Sequence, residues 1–284
     1  MKNEERKGLM SIDHADLLMD LLCGQEEYEN KKEFRDKLEK LRETDLSTKS
    51  KMDDMYLNTL TGLGVVDSIS TSTGTRYKRN STGDKICTAR SDPKKIRLYH
   101  NRLRYRLLES PYTGIFFKEF VSQVNQAGEL NEDITFASLQ GFTEGTIRTI
   151  KSLGTEADLY IEKDCDLLII KKETDDPPSL ENCHQSILKN YNQTIQNLKQ
   201  RGIFSKTKYA KISELRDNVS GDIGLTSEEF DNYFREILTS SLGKSFEIFG
   251  SAPQYLPDDK DPDYERSIFE HKGKIYVFVS ISKT

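Results

Sequence analysis

The sequence predicts a mainly α-helical α+β protein in which small β-hairpins follow groups of short helices. Apolar residues recur at helical spacing in several segments, which is the pattern of helices with one buried face. Glycines end many of these segments, and short β-prone runs follow the glycines. This order of helix, glycine and hairpin occurs three times, which favours tandem copies of one small fold.

Length and composition favour several small domains. A chain of 284 residues with 35% hydrophobic and 31% charged residues is typical of two or three domains with much surface each. We predict domains at residues 1–90, 91–173 and 174–284. Residues 174–179 mark the last boundary, because this segment is acidic and its paired prolines prevent helix and sheet.

The first domain is expected to begin with three helices. The first helix ends at Gly24, and the second covers residues 29–41. Ser47 or Thr48 is expected to cap the third, because a short side-chain oxygen accepts hydrogen bonds from the free amides of a first turn. The third helix carries apolar residues at the spacing of one helix face: Met52, Met55, Tyr56 and Leu60.

A hairpin is expected directly after this third helix. Gly62 and Gly64 end the helix, because glycine adopts the left-handed backbone at little cost. Residues 65–70 and 75–79 are β-prone, and a polar loop joins them. The return strand carries basic residues at its ends.

The second domain is expected to repeat this order in a weaker form. Asp92 and Pro93 begin a helix over residues 95–108, because proline suits a first helical turn and Asp92 or Ser91 caps it. The remaining predicted elements are helices at 115–124, 133–139 and 142–154, the last closed by Gly154, and strands at 157–161 and 167–171.

The third domain is expected to repeat the order again, with a larger hairpin. Thr226 and Glu229 have the spacing of a capping box, and the helix that they start is expected to end at Gly243. The other predicted elements are helices at 180–201 and 211–219 and strands at 246–249, 267–270 and 274–281, with an acidic loop at 257–265.

Charge is distributed unevenly along the chain. The net charge is −5, so a nucleic-acid partner does not follow from the total. Residues 76–106, however, contain eleven Lys or Arg residues and two acidic residues, a net +9 against −14 for the remainder. Such a segment indicates either a surface for an anionic polymer or a solvated helix face beside a basic hairpin.

The stretch over residues 49–87 resembles the winged-helix family of DNA-binding domains. A core helix precedes a two-stranded wing with Arg and Lys near its tip. The amino-acid sequence at residues 60–66, at Tyr77 and at residues 81–86 resembles that of such domains. The resemblance covers the first predicted domain, and the repeated element order extends it to three tandem copies joined by helices. It implies that the third helix of a copy lies in the major groove while the wing contacts the minor groove or backbone.

Under this resemblance, cationic and polar side chains on the motif faces are the expected DNA contacts, because they donate to phosphates and reach base edges. On the third helix and the wing they are Lys49, Lys51, Asn58, Thr61, Arg76, Lys78 and Arg79. On the following helix they are Arg97, Arg102, Arg104 and Arg106. In the second domain they are Thr143, Thr146, Arg148, Thr149 and Lys151.

Two features oppose DNA contact. Asp53 and Asp54 interrupt the face of the third helix and would repel phosphates. The matching helix of the third domain is acidic, so a protein or a second copy of the chain is the expected partner there. Its carboxylates are Glu228, Glu229, Asp231 and Glu236.

No catalytic motif is convincing, and we expect neither an enzyme nor a metal or other cofactor. The sequence has no GxSxG elbow, no HExxH pair and no phosphate loop, and the adjacent Cys183 and His184 lack the spacing of zinc ligands. Asp258 with Glu270 and Lys272 resembles the PD…ExK pattern of metal-dependent nucleases, which need two carboxylates on Mg²⁺ and a lysine near the attacking water. The second half of that pattern falls at a predicted hairpin turn, which makes a nuclease the remote alternative.

The cysteines and the hydropathy favour a cytoplasmic protein without a membrane partner. The four cysteines show no paired spacing, which is typical of a reducing compartment. No apolar run reaches the ~18 residues of a membrane span, and the polar N-terminus lacks a signal-peptide core.

Two functions from different classes fit these features. The first is a non-catalytic DNA-binding protein, a transcriptional regulator or accessory factor, that grips duplex DNA with the first two domains and binds protein or itself with the third. The alternative is an interaction scaffold in a multi-protein complex, for example in restriction or phage defence, since winged helices also serve as docking modules.

Overall fold

The computed structural model describes most of the chain, and the statements below refer to the residues that it describes. The ranges are 11–43, 50–72, 74–130, 132–163, 167–170, 178–200, 208–250 and 268–282, with the side chains of 163 and 197–200 excepted. The predicted caps Ser47 and Thr48, most of the linker at 174–179 and the acidic loop at 257–265 lie outside the described residues.

The chain forms two compact units, Met1–Lys172 and Glu173–Thr284. Both units combine helices with small antiparallel sheets, which confirms a mainly α-helical α+β fold. The first two predicted domains lie together in unit 1, where a single apolar core runs from Ile12 to Leu168. Unit 2 has its own core, so each unit buries a separate set of apolar side chains.

Unit 1 is built from helices that pack around two small sheets. Its helices are α1 (Ala15–Gly24), α2 (Lys31–Arg42), α3 (Met52–Gly62), α4 (Ser81–Arg90), α5 (Ile96–Glu109), α6 (Gly114–Leu130) and α7 (Glu144–Glu156). Its strands are β1 (Glu27–Tyr28), β2 (Val66–Thr71), β3 (Gly74–Arg79), β4 (Tyr160–Lys163) and β5 (Leu167–Ile170). The first sheet has the antiparallel order β1-β3-β2, and β4 pairs with β5 in a separate hairpin.

Periodicity and glycine placement correctly locate α1, α2, α3 and the β2–β3 hairpin. Gly64 has a φ of +66°, the left-handed conformation expected at the end of α3. Asp92 caps a 3-10 turn before α5, since its side chain accepts a hydrogen bond from the amide of Lys94. Helix α4 and strand β1 were not predicted; Asn80 caps α4 by accepting from the amides of Thr82 and Gly83.

Two predictions in the second domain are wrong. Residues 133–139 do not form a helix: they are irregular and turn at 136–138, and the carbonyl of Ile134 accepts a 2.8 Å hydrogen bond from the amide of Leu168 in β5. Gly154 does not end α7, which continues to Glu156. Gly154 lies inside the helix. A glycine fits there because the ring of Tyr160 packs 2.8 Å from the position that a Cβ would occupy.

Helix α7 holds the start of the chain against the second half of unit 1. The hydroxyl of Thr149 accepts a 2.9 Å hydrogen bond from the amide of Ile12, and the hydroxyl of Ser152 accepts one of 2.8 Å from the amide of Ala15. His14, the residue before α1, makes no side-chain cap, and Ser152 of α7 satisfies one of the free amides at this helix start. The first two predicted domains are therefore joined by hydrogen bonds as well as by one core.

Unit 2 repeats the arrangement of short helices and a three-stranded sheet. Its helices are α8 (Leu180–Gln200), α9 (Ile212–Ile223) and α10 (Ser227–Thr239). Its strands are β6 (Tyr209–Lys211), β7 (Phe246–Phe249), β8 (Phe269–His271), β9 (Lys274–Tyr276) and β10 (Phe278–Ile281). The sheet order is β6-β10-β7, and β8 pairs with β9.

The capping box at Thr226 and Glu229 is confirmed, since both reciprocal hydrogen bonds are present. Helix α10 ends at Thr239 rather than at Gly243, which instead lies in a 3-10 segment, Ser241–Ser245. The long strand predicted at 274–281 divides into β9 and β10 at Val277.

Candidate nucleic-acid interface

The solvent face of the β2–β3 wing carries two cations and two carboxylates, Glu27 and Asp67. Arg76 lies opposite Ile69, and Lys78 lies between Asp67 and Glu27 in the register, so their side chains share one face of the sheet. The guanidinium Nη1 of Arg76 is 3.0 Å from Glu27 Oε1, and Lys78 Nζ is 3.9 Å from Glu27 Oε2. Nearly half of each cationic side chain remains exposed.

Arg79 lies on the opposite face and holds the base of the wing. Its Nε donates to Asp84 Oδ1 at 2.6 Å, and its Nη1 donates to the carbonyl of Leu22 at 3.0 Å. Only 16% of its side chain is exposed. Arg79 therefore ties the wing to α1 and α4, and the expectation that it contacts phosphate is corrected to a structural role.

Gly83 sets how closely α4 approaches this base. A Cβ at Gly83 would stand 2.4 Å from the carbonyl oxygen of Val65 and 2.6 Å from the Cγ of Arg79. Because real Cβ atoms do not approach a backbone oxygen so closely, any larger residue has to displace α4 from the start of β2.

Gly83→Ala is expected to destabilise unit 1 by about 1–3 kcal/mol, the usual cost of overpacking a buried contact. Thermal unfolding of the full chain measures this change. Gly128→Ala in α6 is the matched control: a Cβ there meets nothing within 4 Å, so the same substitution is expected to stabilise by about 0.5–1 kcal/mol through helix propensity. Equal shifts for the two variants would contradict the packing described at Gly83.

A disulfide joins Cys23 at the end of α1 to Cys87 in α4, with 5.2 Å between the Cα atoms. These two cysteines are therefore paired, although the cysteines show no paired spacing in the sequence. The two residues are separated by 64 positions, a distance at which spacing in the sequence gives no signal. Cys183 in α8 is free, and its burial raises the pKa of the thiol to about 12.

Helix α5 directs two of its arginines into the protein. It lies against α4, α6 and α7, and only 8% of Arg104 and of Arg106 is exposed. Arg104 donates to the carbonyl of Asp158, and the guanidinium of Arg106 lies 5.6 Å from the ring centre of Tyr105. Arg104 and Arg106 are therefore not part of a candidate DNA surface, because both side chains are buried inside unit 1.

The other two arginines of α5 lie nearer to solvent. Arg102 is half-buried and donates to the carbonyl of Lys85 at 2.6 Å, which links α5 to α4. Arg97 is exposed. The four arginines of this helix therefore do not form one continuous surface strip.

Helix α3 presents Lys51 and Asn58 to solvent, while Thr61 is half-buried and donates to the carbonyl of Leu57. Lys49 lies outside the described residues. The two acids of this helix are held by α2: Lys31 Nζ is 2.7 Å from Asp54 Oδ1 and 3.4 Å from the buried Asp53. This pairing reduces the repulsion that the acids would exert on a phosphate backbone.

Helix α7 divides its polar residues between structure and surface. Thr143 caps the helix, and Thr146 and Thr149 are each 1% exposed, so they are removed from the candidate surface. Arg148 forms an ion pair with Glu144, whose carboxylate raises the pKa of the guanidinium. Lys151 Nζ lies 3.3 Å from Glu162 Oε1 and 5.2 Å from the ring centre of Phe136.

Among the described residues, no group of three or more His, Cys, Asp or Glu side chains is placed to hold a metal ion. Glu270 and Lys272 lie at the β8–β9 turn, where Lys272 has a φ of +51°, while Asp258 is outside the described ranges. In the part of the chain that the structure covers, no helix combines the length and apolar character needed to cross a bilayer.

Comparison with protein-family models, with curated proteins and with solved structures gives no significant match to this chain.

Proposed function

We propose that this protein binds duplex DNA through unit 1, as a non-catalytic regulator or accessory factor built from tandem winged helices. One observation carries the proposal: both units repeat the same topology. In unit 1 the order α1, β1, α2, α3, β2, β3 gives the sheet β1-β3-β2. In unit 2 the order α8, β6, α9, α10, β7, β10, with the β8–β9 hairpin inserted between β7 and β10, gives the sheet β6-β10-β7. A reduced third copy is formed by α6, the segment at Ile134, α7 and the β4–β5 hairpin.

The proposed DNA surface consists of the exposed cations beside α3, on the wing and on α7. These are Lys51, Arg76, Lys78, Arg148 and Lys151. Four of them pair with carboxylates, but exposed ion pairs contribute only about 0–1 kcal/mol each, so phosphates compete for the same cations at small cost.

Charge reversal tests this surface. The pair Arg76→Glu and Lys78→Glu, and separately the pair Arg148→Glu and Lys151→Glu, are each expected to weaken duplex binding by about 10-fold or more at low salt, because each loses two phosphate contacts and adds repulsion. Fluorescence anisotropy with a labelled duplex measures the affinity.

Lys118→Glu is the matched control for these variants. Lys118 is 58% exposed, so it shares the exposure of the tested cations but lies on α6, where it pairs at 3.2 Å with Glu109, whose side chain is 7% exposed. Its binding is expected to equal that of the parent. A parent protein with no duplex affinity at low salt, or reversal variants that bind like Lys118→Glu, would refute the proposed function.

An interaction scaffold is the second candidate, and the surface of α10 favours it. Glu228, Glu229 and Glu236 are exposed on this helix, which would repel a phosphate backbone and suits a basic protein surface. A stable complex with a protein partner, lost on Glu228→Lys and Glu236→Lys, together with no affinity for any duplex, would favour this candidate over DNA binding.

A further inference from the structure

The β6-β10-β7 sheet of unit 2 has one face in the core and one toward solvent. Ala210 and Val279 pair with each other and are fully buried, which fixes the core face. Because side chains alternate along a strand, the partners on either side of them point outward together. The outward rows are Lys211, Phe278 and Phe249, then Tyr209, Ser280 and Glu247.

Three aromatic rings gather on this outward face. Tyr209 is 46% exposed, and its ring meets that of Phe249 edge to face, with 5.0 Å between the centres. Phe249 and Phe278 are half-buried, and Ser280 between the strands of Tyr209 and Glu247 is only 8% exposed. The solvent face of a small antiparallel sheet is normally polar, so three aromatic residues there indicate a ligand that stacks on rings.

The charge on the β6 side of the rings is positive. Lys211 lies in the same row as Phe278 and is exposed. Glu247 is the carboxylate on this face, and it lies across the sheet on β7. A chain of phosphates running along β6 would therefore meet Lys211 beside the rings.

We propose that this sheet face binds single-stranded nucleic acid, independently of the duplex surface of unit 1. Unpaired bases stack on exposed aromatic rings, and the phosphates between them pair with lysines, whereas the bases of a duplex are already stacked and out of reach. A protein partner fits less well, because lysine is depleted from the centres of protein interfaces.

A new fluorophore on this face tests the proposal. The chain contains no tryptophan, so Tyr209→Trp in the full chain introduces a single reporter at the exposed ring. Titration with a twelve-residue oligothymidylate is expected to quench its emission by stacking, and a duplex of equal length is expected to quench it much less.

Variants and controls separate this face from other surfaces. In anisotropy with labelled oligothymidylate, Tyr209→Ala and Lys211→Glu are each expected to weaken binding by about 10-fold. Ile275→Ala removes a residue that is 40% exposed on β9, outside this sheet, and is expected to change nothing. Adding Arg76→Glu and Lys78→Glu to the reporter chain is expected to leave the quenching intact, even if unit 1 does not bind DNA.

Absence of quenching in the reporter chain, or equal oligonucleotide affinity of Tyr209→Ala and the parent, would overturn the proposal. Quenching by a basic protein but not by the oligonucleotide would also overturn it in favour of a protein partner. Circular dichroism of each variant confirms that the comparison is made between folded chains.

Discussion

Reduction of the Cys23–Cys87 disulfide is expected to lower the free energy of unfolding of unit 1 by about 4 kcal/mol, the chain-entropy value for closing a loop of this length. The bridge spans 64 positions and encloses α2, α3 and the β2–β3 wing. The 5.2 Å between its Cα atoms lies in the normal range for disulfides, so the native backbone needs no distortion to form it. The stabilisation therefore acts mainly by restricting the unfolded chain.

Hydrogen exchange with and without dithiothreitol measures this effect in each unit of the same molecule. Amides of α2, α3 and the wing that exchange by unfolding of unit 1 are expected to exchange about 10³-fold faster after reduction. Amides of unit 2 are expected to stay unchanged, since the described cysteine there, Cys183, is free. The variant Cys23→Ala/Cys87→Ala should exchange as fast as the reduced parent, and dithiothreitol should not change its exchange rates. Exchange rates of the parent that reduction leaves unchanged would contradict a stabilising disulfide in unit 1.

Arg216→Met is expected to destabilise unit 2 by about 3 kcal/mol, because it leaves the half-buried carboxylate of Asp231 without the buried guanidinium that contacts it. Arg216 is 3% exposed, and its Nε and Nη2 donate to the two oxygens of Asp231 at 2.8 and 3.0 Å. Nη2 also donates to the carbonyl of Ile268 at 2.8 Å, so one side chain joins α9, α10 and the start of β8.

Urea denaturation of unit 2 measures this loss, and the double variant Arg216→Met/Asp231→Leu is expected to recover most of it by removing the stranded charge. Arg235→Met is the comparison variant: Arg235 donates hydrogen bonds to neutral partners and acts on Asp231 only through its charge, so its loss should cost about 1 kcal/mol. A loss below that of the control would show that the pair contributes little.

The same variant has a predictable pH dependence. Burial raises the pKa of the Asp231 carboxyl, and the adjacent guanidinium opposes that rise. Without Arg216 the folded pKa rises further above the unfolded value, so the folded state is favoured at low pH and loses stability as pH rises. Arg216→Met is therefore expected to lose less stability at pH 5 than at pH 8.

The fold was predictable wherever a local signal was long enough. The stripe of α3 and the glycines after it located the wing, because periodicity and backbone preference act within a few residues. Helix α4 was not predictable from hydrophobic periodicity, because its buried apolar residues, Ile86, Cys87 and Ala89, do not form a clear helical stripe. The helix expected at 133–139 failed because so short a pattern does not distinguish a helix from a segment that bonds to a neighbouring strand.

The candidate surface was harder to predict, because burial of a charge is a tertiary property. The sequence identifies Arg104 and Arg106 as basic but does not show that three helices cover α5. The sequence indicates that Arg79 is a cation of the wing. Its hydrogen bonds to Leu22 and Asp84, which place it beneath the wing, are visible only in the structure. Arg76, Lys78, Arg148 and Lys151 stay on the surface, where 46%, 47%, 54% and 57% of their side chains are exposed.

Duplex affinity of the full chain as a function of salt tests the DNA proposal most directly. If the five exposed cations contact phosphates, the logarithm of the binding constant is expected to fall with the logarithm of salt with a slope of about −3 to −5, and Arg76→Glu/Lys78→Glu is expected to reduce that slope by about 2. No measurable binding at low salt, or a slope that the variant leaves unchanged, would contradict a DNA surface on the wing of unit 1.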